Sequence, residues 1–178
     1  MDDEKQVSLG ASVGDFELVQ VGGEARRLSQ YRGKWVVIAF WSAECPVSRE
    51  YDPFFNGLAE RYPQGEVVVL GIDSNLNYGQ EEIAEAMAER GVLFPVLRDV
   101  DCAIADRFGA LTTPHVYIVD PAGGLAYEGA VDDKTFRQPE ATVNYVEQAL
   151  DALLAGEAPP TQQTQPYGCT IVRYRADE

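Results

Sequence analysis

The stretch WVVIAFWSAECPVS, residues 35–48, carries the strongest indication of the fold. Its first seven residues form a continuous apolar run rich in β-branched and aromatic side chains, which is typical of a strand buried on both faces of a sheet. A short loop follows, and Pro46 is a residue type favoured at the first position of a helix. The stretch therefore predicts a central strand, a loop, and a helix whose N-terminus carries Cys45.

Apolar runs of the same kind recur further along the chain, at residues 67–72, 115–119 and 125–130. Helical periodicity is found at residues 46–62, 80–90, 103–108 and 141–154. Strands that alternate with helices are typical of an α/β domain. We expect a sheet with a largely parallel centre and a hairpin at its end.

A change in composition after residue 155 suggests the domain organisation. A chain of 178 residues favours one domain, which we place at residues 1–155, with its first ten residues as a frayed arm. The segment GEAPPTQQTQP that follows has no periodicity and predicts an extended linker. Residues 156–178 are therefore assigned as a C-terminal tail, in which YGCTIVRY could form an edge strand.

The composition excludes several classes of function. With 14 basic and 29 acidic residues, the net charge of −15 argues against nucleic acids and anionic membranes as partners. No apolar run is long enough to span a membrane. The N-terminus MDDEKQVSLG does not resemble a signal peptide, which favours a cytoplasmic location, with an exported origin left open if a leader has been removed.

The three cysteines are widely spaced, and the chain has one histidine. This pattern argues against a disulfide framework and against a Cys/His metal site. We expect no metal and no cofactor. The cysteines instead point to reactive thiol chemistry.

The predicted position of Cys45 is suited to that chemistry. Unpaired N–H groups and the positive end of the helix dipole stabilise a thiolate at a helix N-terminus, which lowers the pKa of a cysteine. Arg49, one helical turn later, adds positive charge, whereas Glu44 opposes it. The alternative is that Cys45 is only a small buried residue.

Several segments taken together resemble the redoxin branch of the thioredoxin-like superfamily. In chain order they are FWSAECPVS, VVVLGID, FPVLRD and FGALTTPHVYIVDPAGGLAYEGAVDD. They are similar to the alkyl hydroperoxide reductase/thiol-specific antioxidant type, and the ending TQPYGC is similar to peroxiredoxin-like members with a PYGC tail. The resemblance covers almost the whole chain. It implies a thioredoxin-like fold, with a central mixed sheet flanked by helices.

The resemblance also implies roles for individual residues. Cys45 would be the nucleophile, and Pro114 would be a cis-proline that faces it. The backbone of Thr113 would offer hydrogen bonds to a substrate extended across the site. Ser42, three residues before the cysteine, would place its hydroxyl on the thiolate and on a bound peroxide.

This sequence departs from the family patterns at three places. Dithiol thioredoxins have a second cysteine where this chain has Ser48, and many relatives with the PYGC tail have one where it has Ser42. No disulfide can therefore close within the motif. The proline that peroxiredoxins place seven residues before the cysteine is Ile38 here. For the arginine that polarises the peroxide, Arg98 and Arg107 are candidates by position.

We therefore predict a cysteine-based oxidoreductase that is peroxiredoxin-like and reduces a peroxide through Cys45. One alternative is a thiol–disulfide oxidoreductase, favoured by the residues FW before the loop and by the missing proline at Ile38. Another is a non-catalytic module that binds peptides. The reductant would be a thioredoxin-type protein or a small thiol, and a homodimer is left open.

An oxidised Cys45 must be resolved by another thiol, and the chain offers Cys169 and Cys102. Ile171 and its apolar neighbours need a surface to pack against, so we expect the tail to fold back over this domain or a neighbouring subunit. That would bring Cys169 towards Cys45. The alternative is that Cys169 only packs within an edge strand. Cys102 fits a half-buried structural cysteine better than a resolving one.

Overall fold

The computed structural model describes residues 6–174. The strands are β1 (Glu17–Gln20), β2 (Ala25–Arg27), β3 (Trp35–Phe40), β4 (Val67–Asp73), β5 (Val96–Arg98), β6 (Thr112–Thr113), β7 (His115–Val119), β8 (Leu125–Gly129) and β9 (Cys169–Thr170). The α-helices are α1 (Pro46–Glu50), α2 (Asp52–Leu58), α3 (Gln80–Arg90), α4 (Ala103–Phe108) and α5 (Tyr145–Leu154), and 3-10 turns lie at Leu28–Tyr31 and Ala59–Arg61.

Seven strands form a mixed sheet in the order β2-β1-β5-β4-β3-β7-β8, and β6 pairs with β9 in a separate two-stranded sheet. Strand β3 is central, parallel to β4 on one side and antiparallel to β7 on the other. Its alternate side chains enter two different cores: Ile38 and Phe40 pack on one face, Val37 and Ala39 on the other. Burial on both faces explains why the run is apolar throughout. The predicted α/β class and mixed sheet are confirmed.

The helix predicted over residues 46–62 is divided into α1, α2 and a 3-10 turn. Pro53 is the reason, because it has no N–H to donate to the carbonyl of Arg49. Helix α3 has the predicted bounds and ends at Gly91 in the left-handed conformation. Helix α5 begins at Tyr145, later than predicted, because the Asn144 side chain accepts the Glu147 N–H and caps the helix there.

The expectation that the first ten residues fray is wrong for residues 6–10. The N–H of Val7 donates to the carbonyl of Arg107 at 2.9 Å, and the N–H of Gly10 donates to that of Leu125 at 2.9 Å. Residues 1–5 lie outside the described part of the chain. Between residues 6 and 174, no helix is both long and apolar enough to cross a membrane.

The tail lies against the domain. The N–H of Glu128 in β8 donates to the carbonyl of Gln162 at 3.0 Å, and the N–H of Thr164 donates back to the carbonyl of Glu128 at 3.1 Å. Strand β9 does not extend the edge of the seven-stranded sheet. The predicted boundary between residues 155 and 156 stays a prediction.

Candidate active site

Cys45 occupies the position just before α1. Its backbone is extended, with φ −71° and ψ 119°, and its Sγ accepts the N–H of Ser48 at 3.4 Å. The next residue, Pro46, starts the helix without needing a hydrogen-bond partner for its nitrogen. Cys45 is only 3% exposed. The local sequence therefore directs one backbone N–H of the helix end at the sulfur.

Cys45 is disulfide-bonded to Cys169, the first residue of β9. The two residues are 124 positions apart in the chain, and their Cα atoms are 6.0 Å apart. Cys169 is half-buried, so it is the more accessible of the two. The tail thus folds back over its own domain, one of the two arrangements expected from the sequence.

A cis-proline lies beside the cysteine pair. The Thr113–Pro114 peptide bond is cis, the form that the resemblance implies. The carbonyl oxygen of Thr113 is 3.4 Å from the Sγ of Cys45. Strand β9 pairs antiparallel with β6, and the register sets Thr113 opposite Cys169. The backbone that the resemblance assigns to substrate binding is therefore occupied by the chain's own tail.

Ser42 shapes the loop before the helix. Its Oγ accepts the N–H groups of Cys45 and Glu44, each at 3.3 Å, and its own N–H donates to the Oγ of Ser48 at 3.3 Å. These bonds hold the loop in a turn that presents Cys45. A direct bond from Ser42 to a thiolate or a peroxide stays a prediction.

The arginines proposed from the sequence are engaged elsewhere. The side chain of Arg49 is 61% exposed and lies 3.8 Å from the carboxylate of Glu89, so its charge is offset there. Arg98 donates to backbone carbonyls, including that of Tyr78 at 2.9 Å, and Arg107 donates to the carbonyl of Asp15 at 2.9 Å. No hydrogen bond within residues 6–174 joins any of the three to the cysteine pair.

A buried ion pair braces the active-site loop, and sequence reasoning missed it. Arg90 binds Asp52 at 2.6 Å, and each side chain is 3% exposed. The indole N–H of Trp41 donates to Asp52 at 2.9 Å, and the guanidinium carbon of Arg90 lies 4.3 Å from the centre of the indole ring. Arg90 also donates to the carbonyl of Ser42 at 2.7 Å. A charged residue at a helix end carries no local signal that could have revealed this pairing.

The cysteine of the tail lies in a short segment, residues 165–170, that we call the strap. At its start, the Oγ1 of Thr164 accepts the N–H of Ala130 at 2.8 Å and lies 2.7 Å from the hydroxyl of Tyr127. Gly129 permits this approach, because a Cβ there would overlap the Oγ1 of Thr164. The strap is therefore anchored on β8 and the turn that follows it.

The far end of the strap is anchored more deeply. Ile171 is 3% exposed and packs into the core, and its N–H donates to the carbonyl of Leu111 at 3.0 Å. The N–H of Val172 donates to Asn75 at 2.9 Å, and Arg173 donates to a backbone carbonyl, that of Ala110, at 2.6 Å. Cys169 is thus held beside Cys45 from both directions along the chain.

Cys102, the other predicted resolving candidate, is the free cysteine among the described residues, and it is fully buried rather than half-buried. Its thiol donates to the carbonyl of Ser74 at 2.9 Å, and burial raises the pKa of this thiol. Both features suit a structural cysteine.

His115, immediately after the cis-proline, is also buried. Its Nδ1 accepts the N–H of Leu111 at 3.2 Å, and burial lowers the pKa of its imidazole to about 4. The neutral ring therefore supports the backbone that pairs with the far end of the strap.

A cavity of about 260 Å³ opens beside the disulfide. Its lining includes Ser42, Cys45, Asn75, Cys169 and Val172. Within residues 6–174, no cluster of three His, Cys, Asp or Glu side chains is placed to hold a metal ion.

Known proteins resemble this chain in sequence and in fold. Residues 9–128 match the model of a family described as the AhpC/TSA family, which leaves the tail outside the match. The chain is 32% identical over 120 residues to the thiol-disulfide oxidoreductase ResA of Geobacillus thermodenitrificans, a match that covers 66% of each chain. This chain thus spans slightly less than two thirds of the length of that relative.

Two solved structures resemble almost the whole chain. An uncharacterized conserved protein from Geobacillus kaustophilus has a TM-score of 0.81 and 29% identity, with 94% of this chain and 93% of that one covered. A hypothetical protein from Sinorhizobium meliloti 1021 has a TM-score of 0.80 and 26% identity, with 97% of each chain covered.

Proposed function

This chain belongs to the AhpC/TSA family, in agreement with the resemblance found in its sequence, and we propose that it is a thiol–disulfide oxidoreductase. Cys45 acts as the nucleophile and Cys169 as its redox partner. The observation that carries the proposal is the bond between these two cysteines at the cis-proline, on the backbone of Thr113. The name of the ResA relative supports the same class of reaction.

In the reduced protein, the thiolate of Cys45 attacks one sulfur of a substrate disulfide. A bond forms between that sulfur and Cys45, and the other substrate sulfur leaves as a thiolate. The thiolate of Cys169 then attacks the sulfur of Cys45, and the bound substrate sulfur leaves. The substrate gains two electrons, and the Cys45–Cys169 disulfide forms. A dithiol protein or a small thiol returns the protein to its reduced state.

The fold favours Cys45 as the nucleophile. The N–H of Ser48 points at its sulfur and stabilises negative charge there. The loop that carries it is braced by Arg90, which binds the carbonyl of Ser42. Cys169, on the strap, has no comparable helix N-terminus and suits the role of the resolving thiol.

Peroxide reduction, the first expectation from the sequence, is less well supported. The two arginines that are candidates for polarising a peroxide, Arg98 and Arg107, bind other parts of the chain. Disulfide exchange does not need such an arginine.

The proposal is tested by oxidising the reduced protein either with a peptide disulfide or with hydrogen peroxide and following the Cys45–Cys169 bond by mass spectrometry. We expect the peptide disulfide to react faster. Cys169→Ser should stop at a mixed disulfide on Cys45, and Cys45→Ser should not react. Cys102→Ser is the matched control and should behave like the parent.

Two results would contradict the proposal. Faster oxidation by peroxide than by the peptide disulfide would favour a peroxiredoxin-like reduction of peroxides. A Cys45 that reacts with neither oxidant would favour a binding module.

A further inference from the structure

The groove beside the cis-proline holds a cysteine-containing strand in a defined register. We define this groove as the surface formed by Cys45 and residues 111–113, on which β9 lies. Thr113 is opposite Cys169 in the antiparallel pairing. The tail therefore shows which side chains fit at each position of a bound segment.

The position before the cysteine has no room for a side chain. A Cβ at Gly168 would overlap the carbonyl oxygen of Thr113 and would lie 3.1 Å from the nitrogen of Pro114. Both obstacles belong to the backbone, so no rotamer change can relieve them. In this register, only glycine allows the strand to come close enough for the two sulfur atoms to meet.

The position two residues after the cysteine holds a buried apolar side chain. Ile171 is 3% exposed and contributes to the same core cluster as Phe108. Its N–H extends the backbone pairing to the carbonyl of Leu111. Thr170, between the cysteine and Ile171, is exposed and makes no such demand.

We propose that this groove selects disulfide substrates whose cysteine follows a glycine and precedes an aliphatic residue by two positions. The inference rests on the proposed function. The segment pairs with Thr113, the thiolate of Cys45 attacks its cysteine sulfur, and the other half of the substrate disulfide leaves as a thiolate. The strap carries the same pattern, so it is the tethered competitor that an external segment must displace.

The inference is tested with three synthetic heptapeptides based on residues 166–172. One has the native sequence, one has alanine in place of the glycine, and one has serine in place of the isoleucine. Each carries its cysteine as a mixed disulfide with 2-nitro-5-thiobenzoate, whose release is coloured. The probe is the reduced Cys169→Ser full chain, in which Cys45 has no internal partner.

The native peptide should release thiobenzoate about tenfold faster than the alanine peptide, because overpacking against backbone weakens binding by roughly this factor. The serine peptide should also be slower than the native one. If a simple aromatic disulfide reacts with Cys45 while the three peptides react at equal rates, or not at all, the inference is overturned and the proposed function stands. If neither the aromatic disulfide nor any peptide reacts, the proposed function fails.

A second test uses the chain's own tail. Gly168→Ala should slow reoxidation of the Cys45–Cys169 pair about tenfold and should speed alkylation of reduced Cys45, because the strap is pushed out of the groove. Gly57→Ala is the matched control, since a Cβ there meets no atom outside its own helix within 4 Å. Closure of the disulfide in Gly168→Ala at the rate of the control would overturn the inference.

Discussion

The two sheets of this protein differ in how firmly they hold their strands. Strand β3 pairs with β4 over six residue pairs and with β7 over five, and it is buried on both faces. Strand β9 pairs with β6 over two residue pairs, and its second residue, Thr170, is exposed. Cys45, the proposed nucleophile, follows the first kind of strand, and Cys169 belongs to the second.

Because the two strands differ in pairing, the two cysteines are held in different ways. Cys45 is fixed by the central sheet and by the Arg90–Asp52 pair beneath its loop. Cys169 is held by two residue pairs, a disulfide and the anchors at Thr164 and Ile171. Loss of the disulfide and of the two residue pairs should therefore free Cys169, while Thr164 and Ile171 still hold the two ends of the strap and the domain around Cys45 keeps its structure.

The largest effect is expected from losing the disulfide. The disulfide closes a loop of 124 residues, which in the chain-entropy account stabilises the folded state by at most about 5 kcal/mol. Cys169→Ser should therefore unfold at lower urea than the oxidised parent, and reduction of the parent should abolish the difference. Cys102→Ser serves as the control for losing a thiol. Equal urea midpoints for the oxidised parent and Cys169→Ser would show that the disulfide does not stabilise the folded protein.

The next effect concerns the domain without the strap. Arg90→Met leaves the carboxylate of Asp52 buried without its cation and should cost about 3–5 kcal/mol in the free energy of unfolding. Because the pair lies under the loop and not under the strap, the cost should be the same in the oxidised and the reduced protein. Urea unfolding in both states checks this. The double variant with Asp52→Asn should lose less than the sum of the single losses. A loss of stability that is found only in the oxidised protein would show that the ion pair supports the strap and not the loop.

A third effect appears in the pH dependence of stability. The pKa of His115 is about 4 in the folded protein and ordinarily 6.5, so between these values the unfolded state binds more protons. Stability should therefore fall as the pH is lowered through this window, by about 3 kcal/mol in all from this group.

His115→Asn removes the titration and retains a side-chain acceptor for the N–H of Leu111. Between pH 7 and pH 4 the parent should lose about 3 kcal/mol more than the variant, so the difference between their urea midpoints should change over this range. Parallel curves would show that the imidazole does not stay neutral in the fold.

The smallest effect concerns the first anchor of the strap. Thr164→Val removes the acceptor for the N–H of Ala130 and should cost about 1–2 kcal/mol. Thr170→Val is the matched control, because this exposed threonine lies on the strap itself, and it should change stability by less than about 0.5 kcal/mol. Thermal unfolding of the oxidised proteins separates the two. An equal loss in both variants would mean that Thr164 does not anchor the strap.

Local patterns in the sequence were enough to predict the framework of the site. The apolar run of β3 and the periodicity and terminal glycine of α3 predict those elements, because burial on two faces and helix termination leave signals within a few residues. The same reasoning placed Cys45 at the N-terminus of a helix after the central strand. Strands of two or three residues, such as β5 and β6, are too short to show a period, and their pairing partners lie far away in the chain.

The residues that meet at the site come from distant parts of the chain, and local patterns do not pair them. The sequence left Cys169 and Cys102 as alternatives, and the choice depends on how a tail anchored at Ile171 crosses the domain. The buried pair of Arg90 and Asp52 brings together residues from different helices. Such contacts depend on the topology of the whole sheet. Signals within a few residues are therefore sufficient for the position of Cys45 and the secondary structure around it. Its disulfide partner, the ion pair beside its loop and the strand in its groove depend on contacts between residues that are far apart in the chain.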